Sequence, residues 1–212
     1  MPVIKIRVPD QNYDVIIRSG LLSVIQDHIH LNDSKKSRYS KIMIFADASI
    51  QTAYGGLLQS KLETKGSEVI LHGFNSGESQ KTVETVTQLY TKAIESGLER
   101  SHPIIALGGG VAGDVAGFVA ATYLRGVPLY QVPTTLLAMV DASIGGKTGY
   151  NHPLGKNMIG AFKQPVAVLI DPHVLKTLPE REYRSGLAEC IKHGLLGDWS
   201  LFEWMEENIA QI

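Results

Sequence analysis

An apolar run, Pro103-Ile104-Ile105-Ala106-Leu107, empties into Gly108-Gly109-Gly110 and resumes as Val111-Ala112-Gly113-Asp114-Val115-Ala116. The run has the length and composition of a strand buried on both faces. The small and apolar residues after it suit a helix packed tightly on a sheet. The glycines between them carry no Cβ, so the backbone there can turn sharply and approach a ligand. A helix starting at such a turn directs free N–H groups and a partial positive charge at whatever sits in front of it. Gly108, Gly110 and Gly113 have G-x-G-x-x-G spacing, a weak signal shared by glycine turns that hold no ligand. The usual ribose-binding acid about 20 residues on is missing. The next carboxylate after Asp114 is Asp141, beyond another predicted strand, so a dinucleotide here would not bind in the common way.

The rest of the pattern places this turn inside an α/β domain with a largely parallel sheet. Residues 3–8 alternate as a half-buried strand, and 13–18 read as its partner. A helix is expected through Leu21, Leu22, Val24, Ile25 and Ile29, and a loop at 31–40. Buried strands follow at 42–46, ending at Asp47, and at 68–71, with a helix between them. A turn-forming loop at 75–81 leads to a helix whose apolar face is Val83, Val86, Tyr90, Ala93 and Ile94. Further strands are expected at 129–132 and 166–170. Thr177-Leu178-Pro179-Glu180 has the form of a capping box with proline in the first turn. Beyond it, residues 181–196 and 200–209 read as helices with no further strand, as at the entrance to an all-helical domain.

With 212 residues, 44% of them apolar, the chain can bury a sizeable core. Its net charge of −1 comes with no basic block, which argues against a nucleic-acid partner. The single cysteine, Cys190, excludes an intrachain disulfide and favours a reducing compartment. The N-terminus lacks the apolar core of a signal peptide, and Pro128 and Pro133 interrupt the most apolar region, so no membrane span is expected. A cytoplasmic protein is the expectation.

Ligands of parallel α/β sheets sit outside the C-terminal ends of the strands. Asp47, Glu78, Lys81, Asp114, Thr134, Thr135 and Lys176 fall at or just past such ends. Singly each reads as a surface residue or a cap; together they can line one crevice, with Asp47 or Glu78 accepting from a ribose diol. A denser cluster runs from Asp141 through Gly145-Gly146-Lys147 to Asn151-His152-Pro153-Leu154-Gly155-Lys156-Asn157. Two lysines following glycine turns suit a phosphate or carboxylate ligand, although the spacing is not that of a Walker loop. A pair of charges ~4 Å apart at a partly shielded site is worth on the order of 4 kcal/mol. The alternative is a solvated loop with two ordinary lysines. In a third cluster, Leu187, Ala188 and Ile191 form an apolar stripe beside Glu189, Lys192 and His193. Glu189 and His193, at i and i+4, can either place two ligands on one metal or form a surface ion pair.

Taken in order, these clusters resemble 3-dehydroquinate synthases. The likeness rests on Gly108 to Asp114, Tyr123-Leu124-Arg125-Gly126-Val127, Gln131-Val132-Pro133-Thr134-Thr135, Asp141 to Lys147, Asn151 to Phe162 and Ser185 to Lys192. The wider sugar-phosphate cyclases share many of these blocks. The resemblance implies conversion of a seven-carbon 2-keto sugar-acid phosphate to 3-dehydroquinate with loss of phosphate. It also implies catalytic use of NAD and a divalent metal, zinc or cobalt. NAD would lie against Gly110, Val111, Ala112, Gly113 and Asp114, with its adenosine side near Asp47 and the loop Ser76, Gly77, Glu78, Ser79, Gln80 and Lys81. Thr134, Thr135, Lys147, Lys156 and the segment Val174, Leu175, Lys176 and Thr177 would complete the cofactor site. Arg125, Asp141, Lys147, Lys156, Asn157 and Lys192 would surround a phosphorylated small-molecule substrate, and Glu189 would be a metal ligand. A homodimer is the family's common form.

Two departures stand out: Ser76 replaces the family's frequent aspartate, and the family's two later metal-ligand histidines are not in these 212 residues. The expectation is therefore a truncated synthase. Residues 1–177 would be the NAD-binding α/β domain, and 178–212 the incomplete beginning of a helical metal and substrate domain, inactive alone. The rival readings are a sister sugar-phosphate cyclase, a metal-dependent alcohol dehydrogenase of related fold, and a non-catalytic nucleotide-binding or dimerisation module.

Overall fold

A computed structural model describes residues 2–9, 11–30, 39–75 and 77–212. Strand β1 (Val3–Ile6) pairs antiparallel with β2 (Tyr13–Ile17). β3 (Lys41–Asp47) and β4 (Glu68–Phe74) are joined by α1 (Ala48–Ile50), a π turn at Gln51–Gly55 and α2 (Gly56–Glu63). α3 (Val83–Glu95) leads to β5 (Ile104–Gly108), and α4 (Gly110–Thr122) to β6 (Leu129–Pro133). A hairpin of β7 (Lys147–His152) and β8 (Gly155–Phe162) precedes β9 (Ala167–Ile170), and α5 (Glu180–Gly197) and α6 (Trp199–Asn208) close the chain.

The main sheet has the order β1-β2-β9-β6-β5-β3-β4, and every pairing except β1 with β2 is parallel. Its central strands are buried on both faces because alternate side chains enter different cores. Ile42, Ile44 and Ala46 of β3 join Leu58 and Leu62 of α2 and Leu21, Leu22 and Ile25 on one face. Met43 and Phe45 join Val86 and Leu89 of α3 and Val115 and Val119 of α4 on the other. The helix after β3 therefore covers one face and the helix after β5 the opposite face. These strands are neighbours, so a crevice opens between their C-terminal ends.

The structure corrects several local expectations. The segment after Gly20 forms 3-10 turns at Leu21–Asp27, broken at Val24, instead of one α-helix. The expected loop at 31–40 lies largely outside the described residues. α3 buries Thr85, Val86, Leu89 and Ala93, while Val83 and Ile94 are exposed. The capping box does not form: Thr177 ends a 3-10 helix at Pro172–Thr177, and its hydroxyl donates to the Val174 carbonyl at 3.1 Å. α5 starts on Pro179 with no side-chain cap.

The β7–β8 hairpin is absent from the sequence reading, which treats this glycine- and lysine-rich stretch as turns. Its apolar residues do not mark one buried face, and glycines weaken any strand signal. Gly149 and Gly160 pair across it, and a Cβ on Gly149 would lie 2.3 Å from the Ile159 carbonyl oxygen. The missing side chains are what allow the two backbones to come this close.

Candidate functional site

The crevice holds a cavity of about 620 Å³, lined among others by Asp47, Ser49, Tyr54, Glu78, Gly109 and Gly110. Gly109 caps α4 with no side-chain hydrogen bond, so the first-turn N–H groups of this 13-residue helix face the cavity. The turn cannot take larger residues. A Cβ on Gly108 would lie 2.6 Å from that of Ala112, and one on Gly109 3.2 Å from the Thr135 methyl. A bare backbone cradle at a helix N-terminus fits the pyrophosphate of a dinucleotide.

Helical periodicity divides the expected run at 110–114. Gly110, Val111 and Asp114 line the cavity. Ala112 is fully buried against the sheet, and Gly113 presses on Gln131 of β6, where a Cβ would lie 2.9 Å from Oε1. The structure thus keeps Ala112 and Gly113 off the cavity, because they occupy the sheet-facing side of α4. Thr134, Thr135, Val174 and Thr177 line the cavity; Leu175 and Lys176 do not. Leu175 packs on the core, and Lys176 points to solvent. Gly77, Glu78 and Lys81 line it, but the exposed Ser79 and Gln80 do not. Ser76 lies outside the described residues. Asp47 lines the cavity while one of its oxygens accepts from the backbone N–H and the hydroxyl of Ser49, each at 2.8 Å.

A second cavity, of about 390 Å³, adjoins the first and shares Lys81, Asp114 and Ala142 with it. Asp141, Lys147 and Asn157 line it, with Lys147 and Asn157 on opposite strands of the hairpin. At the junction the buried Lys81 ammonium donates to Asp114 Oδ2 and to Asn157 Oδ1, both at 2.5 Å. Burial pushes the Asp114 carboxyl above the ordinary aspartate range, against the lowering pull of Lys81. The contact read alone would suggest a stabilising ion pair; desolvation outweighs it, as it often does for shielded charges.

Lys156 stands outside both cavities, exposed, with its ammonium 3.6 Å from Glu78 Oε1. The Glu78 carboxyl is held below its usual range, first by a hydrogen bond from Asn151 and, against the opposing effect of burial, by Lys156 and Lys81. Arg125 is exposed after the C-terminal end of α4 and lines neither cavity. Helix α4 runs away from the crevice, which carries Arg125 with it. Glu189, largely shielded, binds Lys192, and its Oε1 is 3.6 Å from His193 Nε2. The Lys192 ammonium is raised chiefly by the Glu189 hydrogen bond, with Asp141 adding to the effect. His193 Nε2 lies 3.2 Å from the Val140 carbonyl, so α5 rests on the π turn at Ala138–Ala142 that carries Asp141. Catalytic zinc takes three protein ligands. Among the described residues no group of three His, Cys, Asp or Glu can hold a metal, so the residues present do not by themselves fit one.

Several residues of the site escaped the sequence reading, Tyr54 and Asn151 among them. Tyr54 lines the larger cavity, its hydroxyl 2.8 Å from that of Thr177, and nothing in its local sequence marks it. Asn151 joins the two halves of the site and was visible only as part of a polar run.

Fold and site together define a doubly wound α/β domain with a crevice at its switch point and, beside it, a second cavity lined by Lys81, Lys147, Asp114 and Asp141. A family profile described as "3-dehydroquinate synthase N-terminal" matches residues 71–185. The chain belongs to the 3-dehydroquinate synthase family. It is 51% identical over 205 residues to the 3-dehydroquinate synthase of Rippkaea orientalis, covering 97% of this chain and 55% of that protein. To the Synechocystis 3-dehydroquinate synthase it is 50% identical over 204 residues, covering 96% and 55%. The chain thus spans about half the length of the curated relatives it matches. Among solved structures, ValA, the 2-epi-5-epi-valiolone synthase of Streptomyces hygroscopicus with NAD+ and Zn2+ bound, superposes with TM-score 0.84 at 35% identity, over 97% of this chain and 55% of that one. A 2-deoxy-scyllo-inosose synthase complexed with carbaglucose-6-phosphate, NAD+ and Co2+ gives 0.81 at 29% identity, over 91% and 51%. The probable glycerol dehydrogenase of Sinorhizobium meliloti, at 0.63 and 16% over 84% and 44%, shares the fold alone.

Proposed function

We propose that this chain supplies the NAD site and part of the substrate site of a 3-dehydroquinate synthase, which converts a seven-carbon 2-keto sugar-acid phosphate to 3-dehydroquinate and phosphate. The observation that carries this reading is the meeting of the two cavities at Lys81 and Asp114. A nicotinamide seated there would face a sugar in the second cavity. NAD, when bound, would accept hydride from a ring carbinol of the sugar, and the ketone so formed would make the neighbouring C–H acidic. The chain's residues do the rest: the N–H groups at Gly110 and Val111 hold the pyrophosphate, and Glu78 and Asp47 accept from ribose hydroxyls. Lys147 offers its charge to the anionic sugar and to the departing phosphate. Asp141 and Asn157 orient the ring hydroxyls by hydrogen bonds. Lys156 and Lys192, both exposed, line neither cavity.

A sister cyclase is the second reading, favoured by the fold match to ValA; the 47–51% identity to curated 3-dehydroquinate synthases, against 29–35% to the solved sister cyclases, supports the first. The same reading takes the protein to act in the cytoplasm as a homodimer that turns over only with more of the helical portion than is described. Among the described residues no helix is long and apolar enough to cross a membrane. The test is calorimetric titration of NAD into the purified chain. Micromolar binding that Gly110→Val weakens by at least about tenfold, or 1.4 kcal/mol, is expected. Failure of the unaltered chain to bind NAD would falsify the assignment.

A further inference from the structure

Asn151 lies on β7, and three of its polar groups are committed in three directions. Its side-chain amide nitrogen donates to Glu78 Oε1 at 2.8 Å. Its Oδ1 accepts from the backbone N–H of Asn157 at 2.8 Å. Its own backbone N–H donates to the Lys81 carbonyl at 2.8 Å. The amide orientation is forced, because a carboxylate can only accept and an N–H can only donate. Asn157 is one of three non-glycine residues with positive φ, at 56°, among those described. That left-handed turn aims its side chain at Lys81, and the bond from its N–H to Asn151 holds it there. Glu78 sits on a short 3-10 turn reached through Gly77 at φ 110°, with no strand to fix it. The cofactor-side loop and the substrate-side hairpin are joined by Lys81 to Asn157, by Lys156 to Glu78 and by Asn151, and Asn151 alone links Glu78 to the Asn157 backbone.

We propose that Asn151 is a positioning residue that couples the two cavities, so that NAD and the sugar-acid phosphate each bind more tightly when the other is present. The inference rests on the reading of the cavities given above. Ordering either Glu78 or Asn157 orders the other, and the second ligand meets a site already fixed. The lowered carboxyl range of Glu78 agrees with this, since Asn151 is its largest cause.

The test is titration of NAD into the 212-residue chain with and without the sugar-acid phosphate, for the unaltered protein, Asn151→Asp and Asn151→Ser. In the unaltered protein the sugar phosphate should tighten NAD by about fivefold or more. Asn151→Asp keeps an acceptor for the Asn157 N–H but sets a second carboxylate against Glu78. It should weaken NAD and remove the coupling, leaving sugar-phosphate affinity alone within about twofold, whereas Asn151→Ser, too short to span the gap, should weaken both. A purely structural role would move both affinities together in both variants and so overturns the inference. So does an unaltered protein that binds NAD with the same affinity whether or not the sugar phosphate is present, a result that needs no variant and leaves the NAD reading standing. No NAD binding at all removes that reading and this inference with it.

Discussion

At the scale of single residues, the site trades stability for placement. Asp114 is shielded, paired with Lys81, and still has its carboxyl raised by burial. A carboxyl whose folded pKa lies above its unfolded one contributes stability that is full below the unfolded value and is lost as pH rises through the folded one. The ionised form at neutral pH is therefore a burden on the fold. Asp114→Asn keeps the shape and an acceptor for Lys81. It should melt no lower than the unaltered protein at pH 7, with any gain vanishing as the pH is lowered toward the carboxylate range. Thermal melts between pH 4 and 8 check this, and a variant markedly less stable at pH 7 would show that Lys81 governs instead.

At the scale of elements, the close approaches made by glycine decide where helices and strands meet. Gly186 of α5 lies so near the segment after β6 that a Cβ would come within 2.5 Å of the Leu136 Cβ and 2.7 Å of the Leu137 nitrogen. The second of these is backbone and cannot step aside. Gly186→Ala gains helix propensity of up to about 1 kcal/mol but overpacks this contact, which typically costs about 1–3 kcal/mol. A net loss of about 1–2 kcal/mol is expected, read as a melting shift of roughly 2–8 °C. Loosening of the His193 contact with the Val140 carbonyl should accompany it, seen as a change in the histidine ring signals by NMR. The hairpin shows the same principle, since Gly117 of α4 seats on Thr148 of β7 only because it has no Cβ.

At the scale of the whole molecule, the described residues assemble the crevice at the strand ends but no metal centre. Glu189 and His193 are two donors on one helix, one fewer than a catalytic zinc uses. The purified chain should therefore bind NAD equally well with and without a chelator. Given zinc, NAD and the sugar-acid phosphate, it should release no phosphate above the background rate in a coupled colorimetric assay. Sustained release would mean that these residues form a working centre after all.

Much of this was legible along the chain because it is local in character. The buried strands at 42–46, 104–108 and 129–132, the glycine turn and its helix, and the two closing helices all follow from runs and periods that neighbouring residues set among themselves. Of the seven residues named from their places at strand ends, Asp47, Glu78, Lys81, Asp114, Thr134 and Thr135 line the crevice and Lys176 does not. Packing decided the rest. Which faces of α3 and α4 turn inward, why Ala112 and Gly113 leave the cavity, that residues 147–162 form a hairpin, and that Thr177 serves a 3-10 turn instead of capping α5 depend on residues distant in the chain. So does the bridge through Asn151, which joins Glu78 to Asn157 across 73 and 6 positions. Local sequence carries propensity and period, whereas a hydrogen bond between remote segments exists only once the sheet has brought them together.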